Sequence, residues 1–185
     1  NDLSIFNNVS IIGNTAAKGA GCRLQGGANP TLINVTISNN TATGSCNDTD
    51  GGGGIYSDGG SLTFEGGTIS NNTANGSGGG IKFENSSLTF INGNISNNTA
   101  SGSGGGIYAE NSSFTLDSVT VSNNISTDGA SIDVTSNDGS DKHVRIYNST
   151  ISDNTNSGGS AAGIYIFAID SVTIVSTEIL GNLGG

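Results

Sequence analysis

Apolar residues recur at every second place in short runs along this chain. The runs SLTF (Ser61 to Phe64 and again Ser87 to Phe90), SFTL, HVRI and SVTI share one form, and TIS segments share another. A third form follows glycines: GGGIY, GGGIK and GGGIY, then ASIDV and AGIYI. Alternation at period two predicts strands with one buried face. No spacing of three and four persists, so helices are not expected. Clusters of Asn, Gly and Ser lie between the runs, and these residues form turns.

The runs are ordered by a repeat. Alignment on one asparagine gives seven copies, at Asn14, Asn40, Asn72, Asn98, Asn124, Asn154 and Asn182. Successive spacings are 26, 32, 26, 26, 30 and 28 residues. Three short strands in about 26 residues predict one coil of a parallel β-helix, stacked on its neighbours because a single coil cannot bury its own apolar side. The expected architecture is all-β: a right-handed, single-stranded parallel β-helix of about seven coils, with residues 1–185 forming one domain. Right-handed winding follows from the handedness of parallel crossovers. At ~4.8 Å per coil the rod would be roughly 34 Å long.

The repeated phrases then take on structural roles. The aligned asparagine is expected at a turn of each coil, in a left-handed conformation, with its amide bonded to the asparagine above. The glycines before Ile55, Ile81 and Ile107 are expected at a corner that needs positive φ or close approach. No lysine stands at a phosphate-loop spacing and no helix follows, so these glycines do not read as a phosphate cradle.

An element of type GG[AG]-I alternating with [IF]-x-x-N resembles the repeats of surface-exposed right-handed β-helix proteins. These include the chlamydial polymorphic outer-membrane proteins and adhesin-like proteins of bacteria and archaea. The carriers are Gly79-Gly80-Ile81 and Gly105-Gly106-Ile107, with Ile69-Ser70-Asn71-Asn72 and Ile95-Ser96-Asn97-Asn98. Ile stands where the chlamydial motif has Phe, so the adhesin-like group fits better. The resemblance implies a cell-surface or secreted role and transfers no catalytic residue.

Composition changes this picture in one respect. With 31 glycines and only 32% hydrophobic residues the chain resembles a linker, and the strict repeat is what argues for order instead. Charge narrows the partners. Five basic residues against fifteen acidic ones leave a net −10, and no basic face for nucleic acid can be assembled. The longest apolar run, Ala161 to Ile169, is too short to cross a bilayer, so no membrane insertion is expected. With neither an initiator Met nor a signal-peptide pattern, the chain reads as a mature or excised segment.

Candidate chemistry sits beside the third strand. With Ile55, Ile81, Ile107, Ile132 and Ile164 inward, the next residues should form an outward column of Arg23, Tyr56, Lys82, Tyr108, Asp133 and Tyr165. Cations and aromatics alternating at ~4.8 Å suit cation–π stacking and offer a binding face for glycans. Two places on, Gln25 is followed by Asp58, Glu84 and Glu110. Stacked carboxylates must be solvated, paired with Lys82, or bridged by a cation such as calcium. No metal site and no other cofactor is expected. Cys22 and Cys46 are expected to approach closely enough for a disulfide, which would mark an oxidising compartment. Of twelve N-x-[ST] sites, Asn47, Asn75, Asn85 and Asn111 fall in loops that could carry glycans in a secreting eukaryote. The single histidine, His143, aligns with Ser113 at the start of a strand and reads as a surface turn residue.

The function expected from the sequence is a non-enzymatic structural or adhesive protein, extracellular or on a cell surface, acting as a stalk or fibre subunit. The alternatives are a polysaccharide lyase or hydrolase, which needs clustered carboxylates, and a glycan-binding module. Neither end shows a capping helix. The expected partner is therefore another copy stacked end to end, or further coils of a longer chain.

Overall fold

The computed structural model describes residues 4–44, 50–159 and 161–185. They form a right-handed parallel β-helix of seven coils, as the alternation predicts. In the third and fourth coils the three strand runs join into one path, Ile55–Ser70 and Ile81–Ser96. These two paths pair in parallel with Ile55 on Ile81, Leu62 on Leu88 and Ile69 on Ile95. The same register passes on to Ile107, Phe114 and Val121 of the next coil. Each apolar residue therefore stacks on its counterpart one coil away, and the inward columns fuse into a single core. Phe64 and Phe90 stack inside it with ring centroids 4.5 Å apart, while Phe83 meets Phe114 edge-on.

A fourth ladder was not expected. The two residues after each laddered asparagine form strands of their own, from Thr15–Ala16 through Thr99–Ala100 to Leu183–Gly184. They make a separate sheet seven strands wide among the described residues. Its signal was the recurrent TA after the asparagine pair.

The corners correct a second expectation. In every coil the left-handed residue is the one before the laddered asparagine: Gly13, Asn39, Asn71, Asn97, Asn123, Asp153 and Gly181. The laddered asparagine itself has negative φ. A positive φ at the preceding place turns the chain so that the next side chain points inward, where its amide can be fully bonded. Gly, Asn and Asp occupy it because they tolerate this region best. The corner one strand earlier also takes a positive φ, at Asn8, Asn34, Gly66, Asn92 and Asn148 and, outside that preference, at Ser118 and Ser176.

In the first coil Phe6, in register with buried Leu32, is exposed, and in the last coil Val172, Ile174 and Ile179, in register with buried Val144, Ile146 and Ile151, are exposed. These are side chains that a neighbouring coil would cover. No helix among the described residues is long and apolar enough to cross a membrane.

Candidate functional site

The asparagine ladder is complete. Asn14, Asn40, Asn72, Asn98, Asn124 and Asn154 each donate Nδ2 to the Oδ1 of the next, at 2.8–3.1 Å. From Asn40 onward the same Nδ2 also donates to a main-chain carbonyl of the coil before, Asn182 included. Each backbone N–H along the series bonds the next Oδ1 as well. Asn40 through Asn154 are fully buried, and burial is tolerable because every donor has an acceptor.

The column beside the third strand stands in the expected register, Arg23 on Tyr56, Lys82, Tyr108, Asp133 and Tyr165 in turn. Arg23 lies 5.8 Å from the Tyr56 ring centroid and the Lys82 ammonium 5.3 Å from that of Tyr108. Its exposure, however, is not as expected. Tyr56 is 4% exposed, Lys82 0%, Tyr108 8% and Asp133 3%. The chain between the short TA strand and the next coil folds back over them. A glycine of positive φ stands four residues before each, at Gly52, Gly78, Gly104 and Gly129. A methyl on Gly104 would fall 2.7 Å from the Tyr108 Cβ, so only glycine permits the roof to close. In the last coil Ala161 holds that place, and Tyr165 is 40% exposed. Tyr56 and Tyr108 thus do not offer an open face for stacking sugars.

Beneath the roof lies a tight charge network. The Lys82 ammonium is 2.9 Å from Glu84 Oε1. It lies off the line of a directed hydrogen bond, so the contact is an ion pair. The Tyr56 hydroxyl donates to Glu84 Oε2 at 2.6 Å. Burial first, and then this bond to Glu84, pushes the Tyr56 phenol far above its ordinary range. Lys18 pairs with Asp50 at 3.1 Å and lies 5.6 Å from the Tyr56 ring centroid. Asp58, Glu84 and Glu110 are in register and half-buried. Among the described residues, though, no three acidic, His or Cys side chains converge as metal ligands.

Asp133 differs from the rest of the column. The Ser103 hydroxyl and the Ala130 backbone N–H bond its carboxylate, and Oδ1 is left without a partner. Burial, and to a lesser extent nearby Asp128, pushes its carboxyl up to about 6. It lines a cleft of about 230 Å³ together with Ser103, Tyr108, Asp128, Gly129 and Tyr165. The sequence placed Asp133 in the column but did not reveal the cleft, to which Ser103 and Asp128 come from the roof.

The other sites stand apart. Cys22 packs against the core, in register with Ile55, and burial raises its thiol pKa. Its expected partner Cys46 lies outside the described residues, as does Asn47. Asn75 and Asn85 are exposed. Asn111 is half-buried, and its Oδ1 accepts the Asn137 N–H at 2.8 Å. His143 Nδ1 is 2.7 Å from Ser171 Oγ, and its backbone N–H donates to Ser113 Oγ. Among the described residues no carboxylate forms an ion pair with it.

A family model described as a right handed beta helix region matches residues 2–124. No curated protein and no solved structure matches the chain.

Proposed function

The chain belongs to the right-handed β-helix family, and on that premise we propose that it is a non-enzymatic structural or adhesive rod of a cell surface or the extracellular space. A β-helix carries enzymes and non-enzymes alike, so the argument must rest on this chain's residues. The observation that carries it is the unbroken register. One asparagine ladder and one apolar core run through all seven coils. The buried charges of the third-strand column serve packing, since Glu84 is already engaged by both Tyr56 and Lys82. Length and stiffness are what such a scaffold supplies. Its partners in this reading are further coils of the same repeat, in a longer chain or a second copy, which would cover the apolar side chains exposed in the first and last coils. Exposed Asn75 and Asn85 suit surface glycans where the host can attach them.

Two measurements test the reading together. Negative-stain images of native material should show rods or fibres that antibodies to this chain decorate. Incubation with acidic polysaccharides should release no new chain ends. Depolymerisation that disappears in Glu84→Ala would overturn the structural reading in favour of a polysaccharide-active enzyme.

A further inference from the structure

The geometry points to a binding site for a primary ammonium group between Tyr108 and Tyr165, with Asp133 as its counter-ion. The column contains a built precedent. Tyr56 and Tyr108 stand two coils apart, roughly 9.6 Å, and Lys82 comes between them with its ammonium beside the Tyr108 ring and Glu84. Tyr108 and Tyr165 are also two coils apart, with Asp133 between them. An aspartate side chain ends at its γ carbon, and the space that a lysine would fill is the cleft of about 230 Å³. The second gap has the aromatic walls of the first but no cation, and its carboxylate is Asp133 in the lysine's own place, because Thr135 stands where the first has Glu84.

Chemistry selects the occupant. The cleft is lined by two carboxylates, Asp133 and Asp128, and by no basic side chain, which repels anions. A neutral ligand would leave the Asp133 charge uncompensated in a site where it is almost fully buried. A metal ion would need more oxygen ligands than these residues supply. The group that fills the equivalent gap is the Lys82 ammonium, a compact point charge rather than the two-pronged fork of a guanidinium. Aromatic side chains beside a desolvated ammonium add cation–π attraction. The groups facing Asp133 that titrate are Asp128 from the roof and Tyr108 and Tyr165 from the neighbouring coils.

The test is titration of the isotope-labelled chain with n-butylammonium chloride, followed by amide chemical shifts. Saturable shifts should centre on Ser103, Gly129 and Asp133. The neutral analogue n-butanol should produce none. Affinity should fall at least about tenfold, or ~1.4 kcal/mol, in Asp133→Asn and also in Tyr165→Ala. It should weaken as pH drops through about 6, where the wild-type carboxyl takes up a proton. Parallel titrations with Nα-acetyl-lysine amide and with glucosamine identify which carrier of the ammonium fits, a protein side chain or an amino sugar. Equal affinity in Asp133→Asn, equal binding of n-butanol, or no saturable shift with any of the three amines overturns the site. Tyr165→Ala keeps the test decisive if Asp133→Asn alters folding, because Tyr165 is exposed.

Discussion

The side-chain amide of Asn98 donates to Asn124 Oδ1 at 3.0 Å and, at the same distance, to the main-chain carbonyl of Ile69 in the preceding coil. Its own Oδ1 accepts both the backbone N–H and the Nδ2 of Asn72. Asn98→Ala therefore strands several buried polar groups at once, each costing about 1–3 kcal/mol. The expected loss is about 3 kcal/mol or more in urea denaturation. Asn98→Asp keeps the shape and the acceptor but removes both donors, and should be at least as costly at neutral pH. Asn182→Ala, at a half-buried position, should cost about 1 kcal/mol. Equal losses at Asn98 and Asn182 would contradict a ladder whose strength depends on burial.

Asn97, one residue earlier, isolates the backbone requirement. It is exposed, and its φ is +56°. Asn97→Val places a β-branched residue in the left-handed region and should cost about 1–2 kcal/mol. Asn97→Gly should stay within about 0.5 kcal/mol of wild type, since glycine serves at the same place in Gly13 and Gly181. Paired denaturation curves of the two variants check this directly.

The pair Asn97-Asn98 also shows how far the sequence could be read. Two adjacent asparagines of identical chemistry gave no local means of deciding which one turns the corner and which one enters the core. The informative copies were the atypical ones, Gly13-Asn14 and Gly181-Asn182, where only the second residue keeps an amide. The inward columns were legible because period-two alternation reports directly on which side of a strand a residue lies. That alternation says nothing of what lies beyond the far side, so Tyr56 and Lys82 could be assigned an outward direction but not a roof. Positive-φ glycines stand four residues before Tyr56, Lys82, Tyr108 and Asp133, but Gly19 stands at the same place before exposed Arg23, so the glycine by itself did not report the roof. The cleft beside Asp133 had no pattern of its own, because it arises from a side chain shorter than its neighbours in the column.

Lys82 and Glu84 should respond unequally to loss of their partner. Glu84→Gln leaves a fully buried ammonium without a counter-charge, at a cost of about 3–5 kcal/mol. Lys82→Met leaves Glu84 still bonded by Tyr56 and 16% exposed, so water can solvate it. That loss should be about 1–2 kcal/mol, and Lys82→Met combined with Glu84→Gln should recover most of the single Glu84→Gln loss. A double-mutant cycle in urea measures all three values. A larger loss in Lys82→Met than in Glu84→Gln would mean that the lysine acts by packing rather than by charge.

Asp133 should make the unliganded chain more stable in mild acid than at neutral pH. Burial raises its folded carboxyl from an ordinary 3.8 to about 6. Between these values the folded chain holds a proton that the unfolded chain has released. Stability therefore falls as pH rises through this window and recovers as pH drops below it. Asp138 acts in the opposite sense and lower on the pH scale. The backbone N–H and the hydroxyl of Ser140 hold its carboxyl well below the usual range, so its contribution is lost only as pH falls below the ordinary carboxylate value. Comparing wild type with Asp133→Asn cancels the Asp138 contribution. The variant should be more stable at pH 7 by up to about 3 kcal/mol, and the difference should shrink toward zero as the pH approaches 4. Denaturation midpoints across the range give the two curves, and parallel curves would show that Asp133 ionises in the folded chain as it does in water.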